Sequence, residues 1–276
     1  MTEVLSNDNL KESILLFKNG RKALSNCFLM PDELQRLILE KRLFVLSNSE
    51  WLFLLCDRGD YFSAYYYAFE FSTGESAKKL FENEKLSKEL LLDVTFRGAN
   101  GDRETVKKLV SCGVFEEYKT YKRMLTSLKD TESGSFKTEI SPGYKLQKSA
   151  RYADVLSLWK ESLDEKSTPL PNEEAFERFE KDGLFYALTD EKDDLGCVLV
   201  FNRKGKNALL EHLVCSPKHR RKGLAKCLFK TALNDAKENG VLCVRLWVDE
   251  KNAGAIALYE KLGFSDDGTK SEQYKK

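Results

Sequence analysis

Metal-binding side chains are scarce in this sequence. It contains only two histidines, and its seven cysteines are scattered without a Cys-x-x-Cys pair. Zinc sites in proteins are built from such pairs and from histidines, so we expect no metal site. Most of the cysteines lie in apolar stretches, which is typical of reduced, buried thiols in a cytoplasmic protein.

Long apolar runs and a strong excess of charge are also missing. No stretch approaches the ~18 apolar residues of a membrane-spanning helix, and the first residues do not resemble a signal peptide. The formal net charge is +1, which argues against binding nucleic acid through overall charge. Hydrophobic residues make up 42% and charged residues 32% of the chain, as in soluble globular proteins. We therefore expect a cytoplasmic protein with neither membrane nor nucleic acid as a partner.

What the sequence does contain is a strand, a basic turn and a helix in close succession, beginning at residue 207. An apolar stretch, residues 208–215, predicts a strand that ends before Pro217. Beyond the turn, apolar side chains recur at the helical period. They are Ala225, Leu228, Phe229, Ala232, Leu233 and Ala236. Asn239-Gly240 then ends the predicted helix.

The turn before this helix has the features of a phosphate-binding site. Free backbone N–H groups in the first turn of a helix attract anions, and Arg220, Arg221 and Lys222 add positive charge beside them. Gly223 has no Cβ, so a diphosphate can approach the backbone closely.

Three stretches resemble the GNAT family of acyl-CoA-dependent N-acyltransferases. Arg220-Arg221-Lys222-Gly223-Leu224-Ala225 looks like the family's Arg/Gln-x-x-Gly-x-Gly/Ala loop. Leu213-Val214-Cys215-Ser216-Pro217 is similar to the strand that precedes this loop. Asn252, followed by Ala257-Leu258-Tyr259-Glu260-Lys261-Leu262-Gly263-Phe264, resembles the family's ending. The three occur in the family's order and spacing, and the clear resemblance covers residues 184–264.

The resemblance implies an α/β (α+β) fold in which a mostly antiparallel mixed sheet is flanked by helices. It implies acetyl-CoA as cosubstrate, with the diphosphate on the loop and the pantetheine arm along the preceding strand. The cofactor-binding residues implied in this way are Leu213, Val214, Cys215, Arg220, Arg221, Lys222, Gly223, Leu224, Ala225 and Asn252. Tyr259 stands at the family's general-acid position. Two alternatives stay open: Tyr259 only packs its ring, and Asn252 only caps a helix.

The resemblance also directs the search for a general base to the predicted strand 208–215. Some family members carry a glutamate there, at a position that aligns with Leu209, and Glu211 lies two residues further on. Regular alternation puts Glu211 on the same face as Leu209, Leu213 and Cys215. Glu211 is therefore predicted either as the base or as a rim residue that binds the cation of the substrate.

Three other side chains near this strand are interpreted as having no chemical role. His212 alternates to the face opposite Glu211, so we interpret it as structural. We interpret His219, in the basic turn, as a solvated surface residue. Cys215 has no adjacent histidine to activate it, so we interpret it as a packing residue rather than a nucleophile.

Composition and pattern predict two domains joined by a linker. Residues 129–143 are polar, rich in serine and glycine and without periodicity, so they are the predicted linker. Residues 144–276 form the predicted catalytic domain. In residues 1–128 a strand, a helix and Gly113-Val114-Phe115 parallel the arrangement that ends at Gly263-Phe264.

The first of these repeats lacks the chemistry of the second. Leu109 stands where Tyr259 stands in the later repeat, and residues 72–76, without Arg or Lys, replace the cationic loop. We interpret residues 1–128 as a degenerate GNAT-like domain; an unrelated α+β domain is the alternative.

The end of the chain departs from the family pattern. After Phe264 there is room for one more strand, whereas the family usually has two. The missing strand leaves a sheet edge open, and exposed edges invite pairing. We expect the N-terminal domain, or a second copy of the chain in a homodimer, to cover this edge.

The function predicted from these features is N-acetyl transfer. An acetyl group moves from acetyl-CoA to a primary amine of an unidentified acceptor, a small molecule or a peptide, by direct attack. Two alternatives keep the same fold: transfer of a longer acyl group, and a non-catalytic sensor or scaffold that binds acyl-CoA. A nucleic-acid patch at residues 218–222 is disfavoured, because no stacking aromatic residues accompany its cations.

Overall fold

Two units, each of mixed α/β structure, make up the chain. The computed structural model describes residues 1–97, 102–129, 136 and 138–276. The first unit comprises Met1–Tyr121 together with Gly268–Lys276, and the second comprises Lys122–Asp267. Among the described residues, no helix is both long and apolar enough to cross a membrane. The α/β fold expected from the sequence is confirmed.

Thirteen strands and eight α-helices are found in the described residues. The strands are β1 (Thr2–Glu3), β2 (Leu24–Ser25), β3 (Leu43–Ser47), β4 (Trp51–Asp57), β5 (Tyr61–Ala68), β6 (Glu89–Arg97), β7 (Glu116–Ser127), β8 (Tyr144–Gln147), β9 (Phe185–Asp190), β10 (Leu195–Lys204), β11 (Asn207–Cys215), β12 (Cys243–Asp249) and β13 (Ser265–Lys275). The helices are α1 (Asn7–Lys18), α2 (Pro31–Leu39), α3 (Gly74–Glu82), α4 (Asp102–Ser111), α5 (Tyr152–Ser162), α6 (Glu173–Lys181), α7 (Leu224–Glu238) and α8 (Ala253–Lys261).

The first unit is built around β4, which is buried from Trp51 to Cys56. A strand without an exposed face must be covered on both sides. One side packs against α3 and α4, and the other packs against α1 and α2. Neighbouring strands follow the order β1-β3-β4-β5-β6, and the last residues of β13 lie beside β6.

The C-terminal strand completes the sheet of the first unit. Residues 269–275 of β13 pair antiparallel with β6, from Thr269 opposite Arg97 to Lys275 opposite Leu91. The carboxylate of Asp93 accepts hydrogen bonds from the Ser271 hydroxyl at 2.6 Å and the Gln273 amide at 3.1 Å. These residues belong by sequence to the predicted domain 144–276. They lie in the first unit because strand pairing, which depends on long-range contacts, places them beside β6. Residues 130–135 and 137 of the predicted linker lie outside the described residues.

The second unit has one sheet with helices on both faces. Its order is β7-β12-β11-β10-β9-β8, with residues 122–127 of β7 beside β12. The apolar face of α7 packs on one side of this sheet, and α5 and α6 pack on the other. The position next to β12 is therefore filled by a strand that precedes the predicted linker, residues 129–143.

Both units repeat one order of elements. In the first unit β3, β4 and β5 are antiparallel neighbours, and β5 pairs parallel to β6 after the crossover helix α3. In the second unit β9, β10 and β11 are antiparallel neighbours, and β11 pairs parallel to β12 after α7. The repetition that the sequence pattern indicates thus extends to strand direction.

Candidate active site

A cleft of about 700 Å³ lies where β11 ends and α7 and α8 begin. Nearly all of the predicted site residues line it. They are Leu213, Val214, Cys215, Arg220, Arg221, Gly223, Leu224, Ala225, Asn252 and Tyr259. Lys222 and Glu211 are the predicted site residues that are not part of this lining.

The cleft opens because two neighbouring strands separate. The parallel register of β11 with β12 ends at Leu210 opposite Leu246, although both strands continue beyond that point. On its other side β11 contains a β-bulge, since Val200 lies opposite Glu211 but Val198 lies opposite Val214. His212, at the bulge, has a φ of 51°. A bulge bends its strand and interrupts regular pairing, which leaves a gap between β11 and β12.

The bulge overturns the predicted alternation along β11. Residues directly opposite one another share a face, so Glu211 lies with Val198, Val200 and Val214 on the face covered by α5 and α6. Leu213 and Cys215 instead pack against the cluster that contains α7. The prediction that Glu211 shares a face with these two residues is wrong, because the extra residue in the bulge reverses the alternation.

The loop before α7 is shaped for an anion. Gly223 has a φ of 77° and no side chain that caps the helix, so the first-turn N–H groups of α7 have no side-chain cap. Arg221 has a φ of 62°, in the region that side chains other than glycine rarely adopt. The Arg220 Nε donates to the Cys215 carbonyl at 3.3 Å, which ties the loop to the end of β11. Uncapped amides and two arginines thus meet at one end of the cleft.

Lys222 is held outside the cleft lining by a residue that the sequence did not point to. Its Nζ donates to the Tyr144 hydroxyl at 3.0 Å, and this hydroxyl lies 2.7 Å from His219 Nδ1. His219 is only 8% exposed. The prediction of a solvated His219 is therefore wrong, because Tyr144 from a distant strand covers it. No local pattern could have indicated this contact.

Tyr259 presents its hydroxyl to the cleft from a mostly buried ring. The residue is 6% exposed, and its ring contacts Phe229 edge-on with centroids 5.6 Å apart. Burial, with a smaller contribution from Cys197, raises the pKa of the phenol, so it is protonated at neutral pH. Within the part of the chain that the structure describes, this hydroxyl has no hydrogen-bond partner. It is therefore available to donate to a bound molecule.

Glu211 and His212 lie at the bulge. Burial raises the pKa of Glu211, and a hydrogen bond from Asn202 opposes that rise in part. Burial lowers the pKa of His212 to about 4, so its imidazole is neutral at pH 7. The His212 ring lies 5.1 Å from that of Trp159, whose indole donates to the His212 carbonyl at 3.3 Å.

Asn252 lines the cleft and caps α8. Its Oδ1 accepts a hydrogen bond from the Ala255 amide at 3.1 Å. The capping role and the location in the cleft lining therefore coexist. Among the described residues, no group of three or more His, Cys, Asp or Glu side chains is arranged to hold a metal ion.

Comparisons with known proteins agree with this geometry. The acetyltransferase (GNAT) family model matches residues 152–264. The ribosomal protein bS18-alanine N-acetyltransferase of Escherichia coli is 34% identical over 67 residues, which are 24% of this chain and 45% of that protein. N-acetyltransferase 8 of Homo sapiens is 31% identical over 94 residues, 32% of this chain and 41% of that protein. The chain thus spans less than half the length of these relatives.

Two solved structures cover most of the chain. A GCN5-related N-acetyltransferase from Sphaerobacter thermophilus aligns over 82% of this chain and 80% of its own, with a TM-score of 0.58 and 14% identity. A tandem GNAT protein from the clavulanic acid biosynthesis pathway aligns over 82% and 78%, with a TM-score of 0.55 and 14% identity. At this identity the likeness establishes the fold alone.

Proposed function

Because the acetyltransferase (GNAT) family model matches residues 152–264, we propose that this chain is an N-acetyltransferase. It moves an acetyl group from acetyl-CoA to a primary amine. One observation carries the proposal: the uncapped start of α7 with its arginines lines the same cleft as Tyr259, whose hydroxyl has no hydrogen-bond partner among the described residues. The first suits a nucleotide diphosphate, and the second suits the reacting end of the molecule.

The diphosphate of acetyl-CoA fits the loop before α7. The amides of the first turn point their partial positive charge at the cleft, and α7 is 15 residues long. Arg220 and Arg221 supply full charges and hydrogen-bond donors at the same place. Lys222 contributes through its field rather than by contact, because Tyr144 holds its ammonium.

The pantetheine arm can bind in the gap between β11 and β12. The pairing of β11 with β12 ends at Leu210, so the later residues of β11 have no partner in β12. The amide groups of the arm can pair with the backbone of residues 213–215, as an added strand does. A backbone N–H of this segment then serves as the donor that stabilises the oxyanion of the tetrahedral intermediate.

Glu211 and Tyr259 divide the proton transfers between the two faces of the sheet. Glu211 lies on the face covered by α5 and α6, whereas Tyr259 belongs to the cluster around α7. The amine must lose a proton before it attacks, because a primary amine has a pKa of about 10. Glu211 accepts that proton, directly or through a water, and Tyr259 donates its phenolic proton to the leaving thiolate. The gap between β11 and β12 joins the two sides.

The acceptor is a small-molecule or peptide amine in this proposal. The name of the E. coli relative describes a protein alanine as its acceptor, which supports a peptide amine. A catalytically silent acyl-CoA binder has no use for a buried phenol to which no described residue offers a hydrogen bond, so the geometry favours an enzyme. Longer acyl groups share every contact named above.

In the described part of the first unit, the helix start that corresponds to that of α7 is not an anion site, which supports the interpretation of this unit as a degenerate copy. At the start of α3, the Glu50 carboxylate accepts a hydrogen bond from the Thr73 amide at 2.6 Å, and the Thr73 side chain caps the helix. A carboxylate at this position repels a phosphate. We therefore assign acetyl-CoA to the second unit alone.

An amine screen tests the proposal. Purified protein with acetyl-CoA is given a panel of diamines, amino acids, aminoglycosides and peptides with free N-termini, and free thiol release is measured. Turnover above the rate without amine is the expected result for at least one class. If calorimetry detects CoA binding but no amine is acetylated, the silent-binder alternative replaces the enzyme. If CoA does not bind, the cleft has another ligand.

A further inference from the structure

Two cysteines face each other across the strands that build the cleft. Cys197 of β10 and Cys215 of β11 are direct partners in the antiparallel register. The Ser216 amide donates to the Gly196 carbonyl at 3.0 Å, so the ladder hydrogen bonds lie at the next pair. Cys197 and Cys215 therefore form a non-hydrogen-bonded pair, with Cα atoms about 4.5 Å apart. This separation lies within the roughly 4.4 to 6.8 Å that disulfides span.

The two thiols differ in access and in charge environment. Cys215 lines the cleft and is partly exposed, whereas Cys197 is fully buried, and both are free. The adjacent Cys197 thiol, and after it the charges of Arg220 and Lys222, lower the pKa of Cys215 against the opposing effect of burial. The thiolate is the nucleophilic form of cysteine. Cys215 is thus placed to react first, and Cys197 to react second.

We propose that Cys215 and Cys197 form a thiol–disulfide exchange site, at which a small-molecule disulfide that enters the cleft oxidises the pair to an intramolecular disulfide. In the first step the Cys215 thiolate attacks one sulfur of R–S–S–R. The S–S bond of the reagent breaks, a Cys215–S–S–R bond forms, and R–S⁻ leaves.

In the second step Cys197 resolves the mixed disulfide. The adjacent Cys215 thiol is the largest cause that raises the pKa of Cys197, and the first step converts that thiol into a disulfide sulfur. Cys197 gives its proton to the departed thiolate, attacks the Cys215 sulfur and expels the second R–S⁻, which takes the proton that Cys215 lost. Two protein thiols are oxidised by two electrons, and one external disulfide is reduced to two thiols. The exchange requires only the cleft and the two thiols, so it does not depend on acetyl transfer.

Peptide mapping of the oxidised full-length protein tests this site. The protein is treated with glutathione disulfide, free thiols are alkylated, and every cysteine peptide is identified by mass. The expected product joins the peptides of Cys197 and Cys215, and dithiothreitol separates them again. Cys197→Ser is expected to trap glutathione on Cys215, whereas Cys215→Ser leaves Cys197 as a free thiol. Cys243→Ser, at a partly exposed cysteine of β12, is the matched control and keeps the cross-link.

Two results overturn the site. The first is that, after treatment with glutathione disulfide, Cys215 stays a free thiol in both the wild type and Cys197→Ser while other cysteines react. The second is that the wild-type protein keeps glutathione bound to Cys215 while Cys197 remains a free thiol. Should Cys197→Ser fail to fold, as judged by circular dichroism, the cross-link in the wild type decides alone. The same experiment is run in parallel with CoA disulfide. If CoA disulfide reacts faster than glutathione disulfide, the oxidant is recognised through the cleft's own ligand, CoA. If the two rates are equal, any small disulfide can be the oxidant.

Discussion

Burial raises the pKa of both residues to which proton transfers are assigned at this site. Tyr259 is kept protonated, and its hydroxyl has no other partner in the described part of the chain. Glu211 is made a stronger base, because burial raises the pKa of its carboxyl. An acid that holds its proton and a base with a raised pKa are what an amine acylation needs.

Replacing Tyr259 with Phe removes the proposed acid and leaves the packed ring. We expect kcat to fall by about 10²-fold to 10⁴-fold, the usual contribution of a general acid, with CoA affinity nearly unchanged. Steady-state kinetics and calorimetry measure the two quantities. Tyr274→Phe, which removes a buried hydroxyl from the first unit, is the matched control and should not alter turnover. Unchanged turnover in Tyr259→Phe rejects the acid role.

The pH profile tests Glu211. A base works in its deprotonated form, so kcat/KM is full above the pKa of Glu211 and falls as the pH drops through it. A free glutamate has a pKa of about 4.3. Because burial raises the pKa of Glu211, the acid limb of the profile should lie at a higher pH than that. Glu211→Gln should lower the plateau and abolish this limb, whereas Glu191→Gln in an exposed turn should do neither. A limb that persists in Glu211→Gln belongs to another group.

At the scale of secondary-structure elements, the site depends on where regular structure is interrupted. The bulge at His212 separates β11 from β12, and the left-handed residue Gly223 starts α7 without a side-chain cap. A regular strand would close the gap, and a serine or aspartate cap would occupy the helix amides.

Gly223→Ala tests the start of α7. The φ of 77° disfavours any side chain, so we expect a loss of about 1–2 kcal/mol in the free energy of unfolding. CoA affinity should also fall, because the loop relaxes out of its shape. Gly205→Ala is the matched control: its φ is 59°, it lies in the turn between β10 and β11, and it does not line the cleft. Chemical denaturation and calorimetry should show similar destabilisation in both variants but weaker binding only in Gly223→Ala. Equal CoA affinity in the two variants would contradict the assignment of the anion site to the start of α7.

At the scale of the whole molecule, the chain returns to the first unit at its end. Residues 269–275 pair with β6, and Asp93 binds two side chains of the returning strand. The first unit is therefore not a contiguous segment, although its order of elements matches that of the second.

Deleting residues 268–276 should destabilise the first unit. The edge of β6 loses its partner along most of its length, so amide exchange in residues 89–97 should become faster. Hydrogen–deuterium exchange with mass spectrometry measures this. Ser271→Ala keeps the backbone ladder and removes one hydrogen bond, so it should cost only about 1 kcal/mol. Unchanged protection of residues 89–97 after the deletion contradicts the prediction.

The two units should also differ in ligand stoichiometry. Because Glu50 blocks the start of α3, we expect one CoA per chain in calorimetry. Replacing Arg220 and Arg221 together with Ala should strongly weaken that single site. A second site that survives this double substitution would place a ligand in the first unit.

The sequence by itself determined the strand β11, the helix α7 and ten of the residues that line the cleft, because periodicity, the glycine after the basic turn and the motif spacing are local properties. Only the tertiary structure decided the face of Glu211, the burial of His219 under Tyr144, the pairing of Cys197 with Cys215 and the return of β13 to the first unit. Each of these depends on a bulge or on a contact between residues far apart in the chain. Such contacts are fixed by which edges and surfaces meet after folding, and no local pattern encodes them.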